Sequence, residues 1–357
     1  MKRFLIINPF GIGDVLFTSP VIRAIKDNYP DSFVGYWCNE RVGEVLKNNP
    51  QIDRVFALSR GDLKKIFDQS VFGGIGKLLK LILSIKKSKF DISIDFSLDH
   101  RYSLISKISG IRSRYGLDYK YRGRFLTRKI GIEGYKAKHV VEYYLDLLKF
   151  SDIKPKTNKL EVFISQSQKD RSKNILARYG VKAGELVVGI APGAGASWGK
   201  DAIYKHWAAV KFARLADRVI GDLAAKVVIL GDNLERPIAD IVVNTMKNKA
   251  VDLAGKTSLE ELVAMISNLN ILVTNDGGPL HIGVAAGIKT VSIFGPVDEK
   301  VYGPYPVSGK HIVIKRDLDC RPCYENFRFS GCNNDRKCIE DIIVDEVYEA
   351  VEKLAKS

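Results

Sequence analysis

Residues 4–20 read FLIINPFGIGDVLFTSP. An apolar run, Phe4–Ile7, breaks at Asn8-Pro9, passes two glycines, Gly11 and Gly13, and continues into a helical pattern over Val15–Asn28. Strand, glycine turn and helix in that order form the opening unit of a parallel α/β sheet. A dinucleotide fingerprint needs a third glycine three residues after the second, and that place holds Leu16. Asp14 also sits where the helix presents its positive end, so a phosphate there would meet a carboxylate. The turn is therefore a poor pyrophosphate cradle, which weighs against a nicotinamide-linked oxidoreductase. The glycines still let another molecule approach the backbone, and the helix dipole favours an ionised Asp14. Two roles fit that carboxylate: accepting a proton from a bound molecule, or capping the helix. Spacing alone does not choose between them.

The strand–helix alternation continues along the chain. Strand-length apolar runs occur at Phe33–Trp37, Arg54–Leu58 and Asp91–Phe96, with a helical pattern at Ile75–Lys87. It pauses at the polar stretch Ser151–Lys159, which contains Pro155 and reads as a linker. It resumes with strands at 186–192, 226–231, 250–255, 271–276 and 289–295, and helices near Tyr204–Arg218, Glu235–Met246, from Ser258 and from Pro279. The expected organisation is two doubly wound domains, residues 1–155 and 160–335, with a C-terminal helix over 340–357 that could pack on either. Two such domains would leave a ligand cleft between the carboxyl ends of their strands.

Three loops of the second half follow strands and offer a nucleotide diphosphate site. In TNDGGPLHIGVAAG (274–287), Pro279 falls in the first helical turn, and the amides of Gly277, Gly278 and Leu280 would project from the helix start. Asp276 precedes them, and His281 is within reach of the same ligand. In APGAGASWGKDAIYKHW (191–207), Ser197, Lys200, Lys205 and backbone amides are available for phosphate oxygens. In LGDNLE (230–235), Asp232 or Glu235 could accept hydrogen bonds from ribose hydroxyls. No G-x-x-x-x-G-K-[ST] is present, which excludes a P-loop ATPase.

The formal charge is +15, and residues 1–150 carry 27 Lys and Arg against 15 Asp and Glu. Within Arg101–Lys138 there are 11 basic residues, Arg122 and Arg124 among them, and 2 acidic ones. A field of that sign suits nucleic acid, a phosphorylated glycan or an acidic membrane surface. IGKLLKLILSIKKSKF (75–90) is a basic amphipathic helix that either covers the sheet or touches a membrane surface. No apolar run reaches the ~20 residues of a membrane span. The start of the chain reads as a strand and not as an export signal, so the expected compartment is the cytoplasm.

Together, GIGDVLFTSPVIRAIK, PGAGASWGKDAIYKHW, LGDNLE and TNDGGPLHIGVAAG continuing into SIFGPVDEKVYGPYP resemble glycosyltransferase family 9, the ADP-heptose:lipopolysaccharide heptosyltransferases; they span residues 8–306. The resemblance implies the α/β GT-B fold, two Rossmann-like domains facing across a cleft, with acceptor bound by the first and ADP-sugar by the second. It implies Asp14 as catalytic base, Lys205 on the diphosphate, Glu235 near the ribose, and Asp276, Gly277, Gly278 and His281 around diphosphate and sugar. Ser197 belongs to the same donor loop. Gly11, Gly13, Arg122 and Arg124 are expected on the acceptor, an anionic lipid-linked glycan. The implied reaction is inverting, uses no cofactor and no metal, and involves no nucleic acid; contact with the inner membrane fits the lipid-linked acceptor. A relative using another nucleotide sugar for another surface glycan is the nearest alternative. Ala208 follows Trp207 where the family often has proline, and Gly277 stands where Ser or Thr is common, which leaves the donor sugar open.

Five cysteines complete the inventory. Cys38 falls on a strand. Cys320, Cys323, Cys332 and Cys338 form C-x2-C-x8-C-x5-C, a spacing compatible with a metal or with four reduced thiols. The only D-x-D, Asp317-Leu-Asp319, reads as a surface turn.

Overall fold

The computed structural model describes residues 1–357 except Ala137; the side chains of Arg60, Ala196 and Ser197 also lie outside the described residues. Ser197 is therefore a donor-loop expectation on which its side chain gives no report. The chain divides into two compact units, Met1–Phe163 and Ile164–Ser357. Residues just after the polar stretch stay with the first unit: the Glu161 amide donates to Ser19 Oγ at 2.9 Å, and its carboxylate pairs with Arg23 at 3.3 Å.

The first unit holds β1 (Arg3–Ile7), β2 (Phe33–Cys38), β3 (Arg54–Ala57), β4 (Ile92–Asp95), β5 (Ser113–Tyr119) and β6 (Arg128–Ile132). They form one parallel sheet in the order β3-β2-β1-β4-β5-β6. The second holds β7 (Val187–Ala191), β8 (Lys226–Ile229), β9 (Val251–Asp252), β10 (Ile271–Asn275), β11 (Lys289–Ile293) and β12 (His311–Ile314), also parallel, in the order β12-β11-β10-β7-β8-β9. Counted within its own unit, each sheet has the doubly wound order 3-2-1-4-5-6. The strand order reverses between β1 and β4 in one and between β7 and β10 in the other, and such switch points open a crevice at the carboxyl ends.

Phe4–Ile7 are all fully buried, because a parallel sheet is covered on both faces. Leu5 and Ile7 meet Leu81 and Ile85 of helix Val71–Lys87 and Tyr102 of helix His100–Ile108. In the second unit the C-terminal helix Val344–Lys356 buries Val347, Val351 and Leu354 against helix Ala209–Leu223 and the sheet, which settles which half it packs on. Each such side chain contributes about 1.5–3 kcal/mol.

Two helical expectations need correction. Val15–Asn28 is two helices, Ile12–Phe17 and Ser19–Asn28. Pro20 has no N–H to give the Leu16 carbonyl, and the Ser19 hydroxyl takes that place at 2.7 Å. The helix expected near Tyr204 begins at Ala209, after 3-10 turns over Ala196–Lys205 that include Gly199 at φ 53°. The sequence reading also missed β5 and β6. Edge strand β6 carries Arg128 and Lys129, the usual protection of a sheet edge, so charge masked the strand pattern. Part of the basic cluster is structural: Lys129 pairs with Asp118 at 2.6 Å, and the Arg114 guanidinium donates to the carbonyls of Ile111 and Phe125.

Candidate functional site

At the second switch point, buried Asn275 ends β10. Its amide donates to the carbonyls of Pro192 (2.7 Å) and Gly193 (3.2 Å), and its Oδ1 accepts the Trp207 amide at 3.1 Å. One side chain thus ties the loop after β7 to the segment carrying Lys205. Trp207 is fully buried, with its indole N–H on the Ile342 carbonyl, so it anchors that segment to the core. Two residues away, Lys205 Nζ lies 2.6 Å from Asp276 Oδ2, both side chains 7% exposed, and 5.0 Å over the Trp198 ring. Trp198 stacks in turn on Tyr324 and Phe329 of the hairpin that follows Cys323.

Next to the pair, helix Gly278–Ala285 starts with Gly277 as its extended N-cap and Pro279 in the first turn. A Cβ on Gly277 would lie 3.0 Å from the Ala194 carbonyl oxygen. Two backbones thus approach closely at Gly277, the position where Ser or Thr is common in the family. His281 is buried in the first turn, and burial first, then the Lys205 charge, push its pKa down to about 4 against an opposing effect of Asp276. It is a neutral imidazole near pH 7 and adds no positive charge to the site.

Glu235 bridges the loops after β7 and β8: its carboxylate accepts the Gly195 amide at 2.9 Å and the Asp232 amide at 3.1 Å. Burial raises its pKa above the ordinary value. A Cβ on Gly193 would fall 1.9 Å from Glu235 Oε1, so only glycine leaves the carboxylate its place. Each oxygen keeps a free lone pair for a hydroxyl donor. Asp232 instead closes its own turn by accepting the Leu234 and Glu235 amides. Lys200 is exposed.

At the first switch point the turn after β1 is pinned by two buried amides. Asn8 donates to the Asp14 carbonyl at 3.0 Å, and Asn39 to the Pro9 carbonyl at 3.0 Å and to that of Phe10. Gly11 is the N-cap of helix Ile12–Phe17, and the half-buried Asp14 carboxylate accepts its N–H at 3.3 Å. That bond caps the helix start, one of the two roles read for Asp14 from the sequence. Beside the turn, the ends of β1 to β4 line a cavity of about 410 Å³ containing Arg41 and Lys65. The carboxylates of Asp62 and Asp99 on its wall accept backbone amides, at 2.6 Å from Ser59 and 3.1 Å from Arg101. The sequence reading missed this cavity and its two cations. Arg122 and Arg124 are exposed in the β5–β6 connection, over the rings of Tyr119 and Phe125, and do not line it.

A second carboxyl escaped sequence reading. Asp95 ends β4, is 5% exposed and accepts the Ser97 amide at 2.8 Å. Burial pushes its pKa up to about 7. The four C-terminal cysteines share one neighbourhood: Cys323 Sγ donates to the Cys320 carbonyl, and burial pushes Cys338 up to about 11. All five cysteines are free thiols, and among the described residues no group of three or more His, Cys, Asp or Glu is arranged to hold a metal. Asp317 is exposed and paired with Lys315 at 2.7 Å, as a surface turn requires. Among the described residues no helix is long and apolar enough to cross a membrane.

The profile of glycosyltransferase family 9 (heptosyltransferase) matches residues 78–331. Lipooligosaccharide heptosyltransferase 2 of Campylobacter jejuni serotype O:6 is 26% identical over 363 residues, 99% of each chain. A family 9 glycosyl transferase from Veillonella parvula superposes with a TM-score of 0.85 at 25% identity, over 100% of this chain and 98% of that one. An E. coli heptosyltransferase solved with ADP superposes with a TM-score of 0.74 at 17% identity, over 99% and 100%. These likenesses, with the two parallel sheets, give the GT-B fold class. The chain belongs to glycosyltransferase family 9 and is a glycosyltransferase.

Proposed function

We propose that this enzyme transfers a heptose, with inversion, from an ADP-sugar to the anionic inner core of a lipid-linked lipopolysaccharide acceptor. The observation that carries the donor half is the buried Lys205–Asp276 pair beside the Gly277–Gly278 helix start at the second switch point. Lys205 and the bare amides of that helix would stabilise the charge that grows on the departing diphosphate, and Glu235 would accept hydrogen bonds from the ribose. The relatives' names, lipopolysaccharide and lipooligosaccharide heptosyltransferases, support the choice of sugar and acceptor.

In the first unit Asp14 is the base. The acceptor hydroxyl oxygen attacks the anomeric carbon from the face opposite the nucleotide, the bond from that carbon to the diphosphate oxygen breaks, and the hydroxyl proton passes to Asp14 while ADP leaves. A transition state with oxocarbenium character asks only a weak base of the enzyme. Arg41 and Lys65 in the cavity beside the turn after β1 suit carboxylates or phosphates of the acceptor, and Arg122 and Arg124 add to the positive field that would attract it. The test is turnover with ADP-, GDP- and UDP-sugars under one set of conditions. ADP-heptose is expected to be turned over fastest, giving a product of opposite anomeric configuration. Preference for a UDP-sugar, or retention of configuration, overturns the reading.

A further inference from the structure

Helix Val71–Lys87 rests on the first unit by a narrow stripe, with Gly74, Leu81 and Ile85 buried. Its outward half is not the polar surface such a helix ordinarily shows. Phe72, Ile75, Leu79 and Leu83 are 87%, 44%, 52% and 53% exposed. Positions 75, 79 and 83 recur every fourth residue and so share one face. Lys77, Lys80 and Lys87 run alongside, Lys86 lies near the end, and the helix has no Asp or Glu. Isolated exposed apolar side chains are ordinary, but a row of them on a helix whose charged residues are all lysines is an interaction surface.

Charge selects the occupant. A second copy related by two-fold symmetry would bring lysine row against lysine row, which costs affinity. An anionic bilayer accepts both features together: apolar side chains enter the interface, and lysine stems lie along it with their ammonium groups on the headgroups. We propose that helix Val71–Lys87 docks the enzyme on an anionic phospholipid surface through Phe72, Ile75, Leu79 and Leu83, with Lys77, Lys80, Lys86 and Lys87 on the headgroups. This agrees with a lipid-linked acceptor and rests on neither the donor sugar nor the catalytic base.

The experiment is co-sedimentation of the full chain with phosphatidylcholine vesicles, with and without phosphatidylglycerol, at low and high salt. The wild type is expected to bind the phosphatidylglycerol vesicles and to be released by salt. Lys80→Gln/Lys87→Gln is expected to weaken binding about fivefold for each lysine removed, and Leu79→Ser/Leu83→Ser by about tenfold or more. Turnover of a delipidated, soluble acceptor and the denaturant midpoint should stay at wild-type values in both variants, which separates docking from catalysis and from misfolding. Equal sedimentation of wild type and variants, or indifference to phosphatidylglycerol, overturns the proposal. So does a concentration-dependent dimer in the ultracentrifuge that Leu79→Ser/Leu83→Ser abolishes, since the strip would then be covered by a second copy.

Discussion

The Asp14→Asn enzyme is expected to bind its nucleotide-sugar donor as tightly as the wild type and to turn it over about 10³-fold more slowly, within the 10²–10⁴ range of a general base. The variant is a clean one because Asn keeps the structural half of the residue's work. Its side-chain oxygen can still accept the Gly11 amide that Asp14 holds at 3.3 Å, so the turn and the helix start should survive. What disappears is the capacity to take a proton from the acceptor hydroxyl. Donor affinity by calorimetry and single-turnover rates with donor in excess separate the two. Turnover within a few-fold of wild type would remove Asp14 from the mechanism. Asp95→Asn is the companion control: the carboxyl is enclosed and, with a pKa pushed up to about 7, is about half protonated at pH 7, and its replacement should leave turnover near wild type.

Lys205→Met is expected to destabilise the fold by about 3–5 kcal/mol, the range for removing one partner of a buried ion pair. Its partner Asp276, at 2.6 Å and with its side chain 7% exposed, would be left an uncompensated carboxylate. Removing both charges in Lys205→Met/Asp276→Leu should return much of that stability, because two apolar groups need no compensation. ADP affinity should not return with it: a charged hydrogen bond of about 1.5–3 kcal/mol corresponds to a loss of roughly 10–100-fold. Denaturant unfolding and ADP titration on the three proteins decide the matter. ADP binding at wild-type strength in the double variant would make the pair a structural device only. His281 gives an independent reading. Since the Lys205 charge helps to lower its pKa, its imidazole should titrate closer to the ordinary range in Lys205→Met, visible by NMR.

Where each element depends on a local pattern, the sequence showed it. Phe4–Ile7 is apolar without interruption because parallel strands are covered on both faces, and the glycines of 274–287 mark a helix start that a ligand can approach. Elements fixed by distant contacts were not visible. β6 carries Arg128 and Lys129 because it is an edge, and in a basic segment that reads as field rather than strand. The break at Thr18 depends on a missing N–H two residues later. Among candidate site residues, Asp14, Glu235 and Asp276 fall in the connections after β1, β8 and β10, and Lys205 at the end of the 3-10 turns after β7, so residue type and place were enough to single them out as candidates. Asn275 looks like one more polar residue after an apolar run; only the fold reveals that it joins segments more than 60 positions apart. Arg41 is a lone cation in sequence and meets Lys65 in one cavity only because β2 and β3 are neighbours.

The placement of Trp198 has a practical side. The protein has three tryptophans. Trp37 and Trp207 are sealed in the two cores at 1% and 0% exposure, and their emission should be blue and indifferent to solutes. Trp198 alone lies by the Lys205 ammonium, stacked on Tyr324 and Phe329. With the donor site proposed above, intrinsic fluorescence would be a label-free gauge of nucleotide occupancy: ADP should change one emission component and leave the other two as a built-in reference, and a Trp198→Phe protein should be blind to the titration.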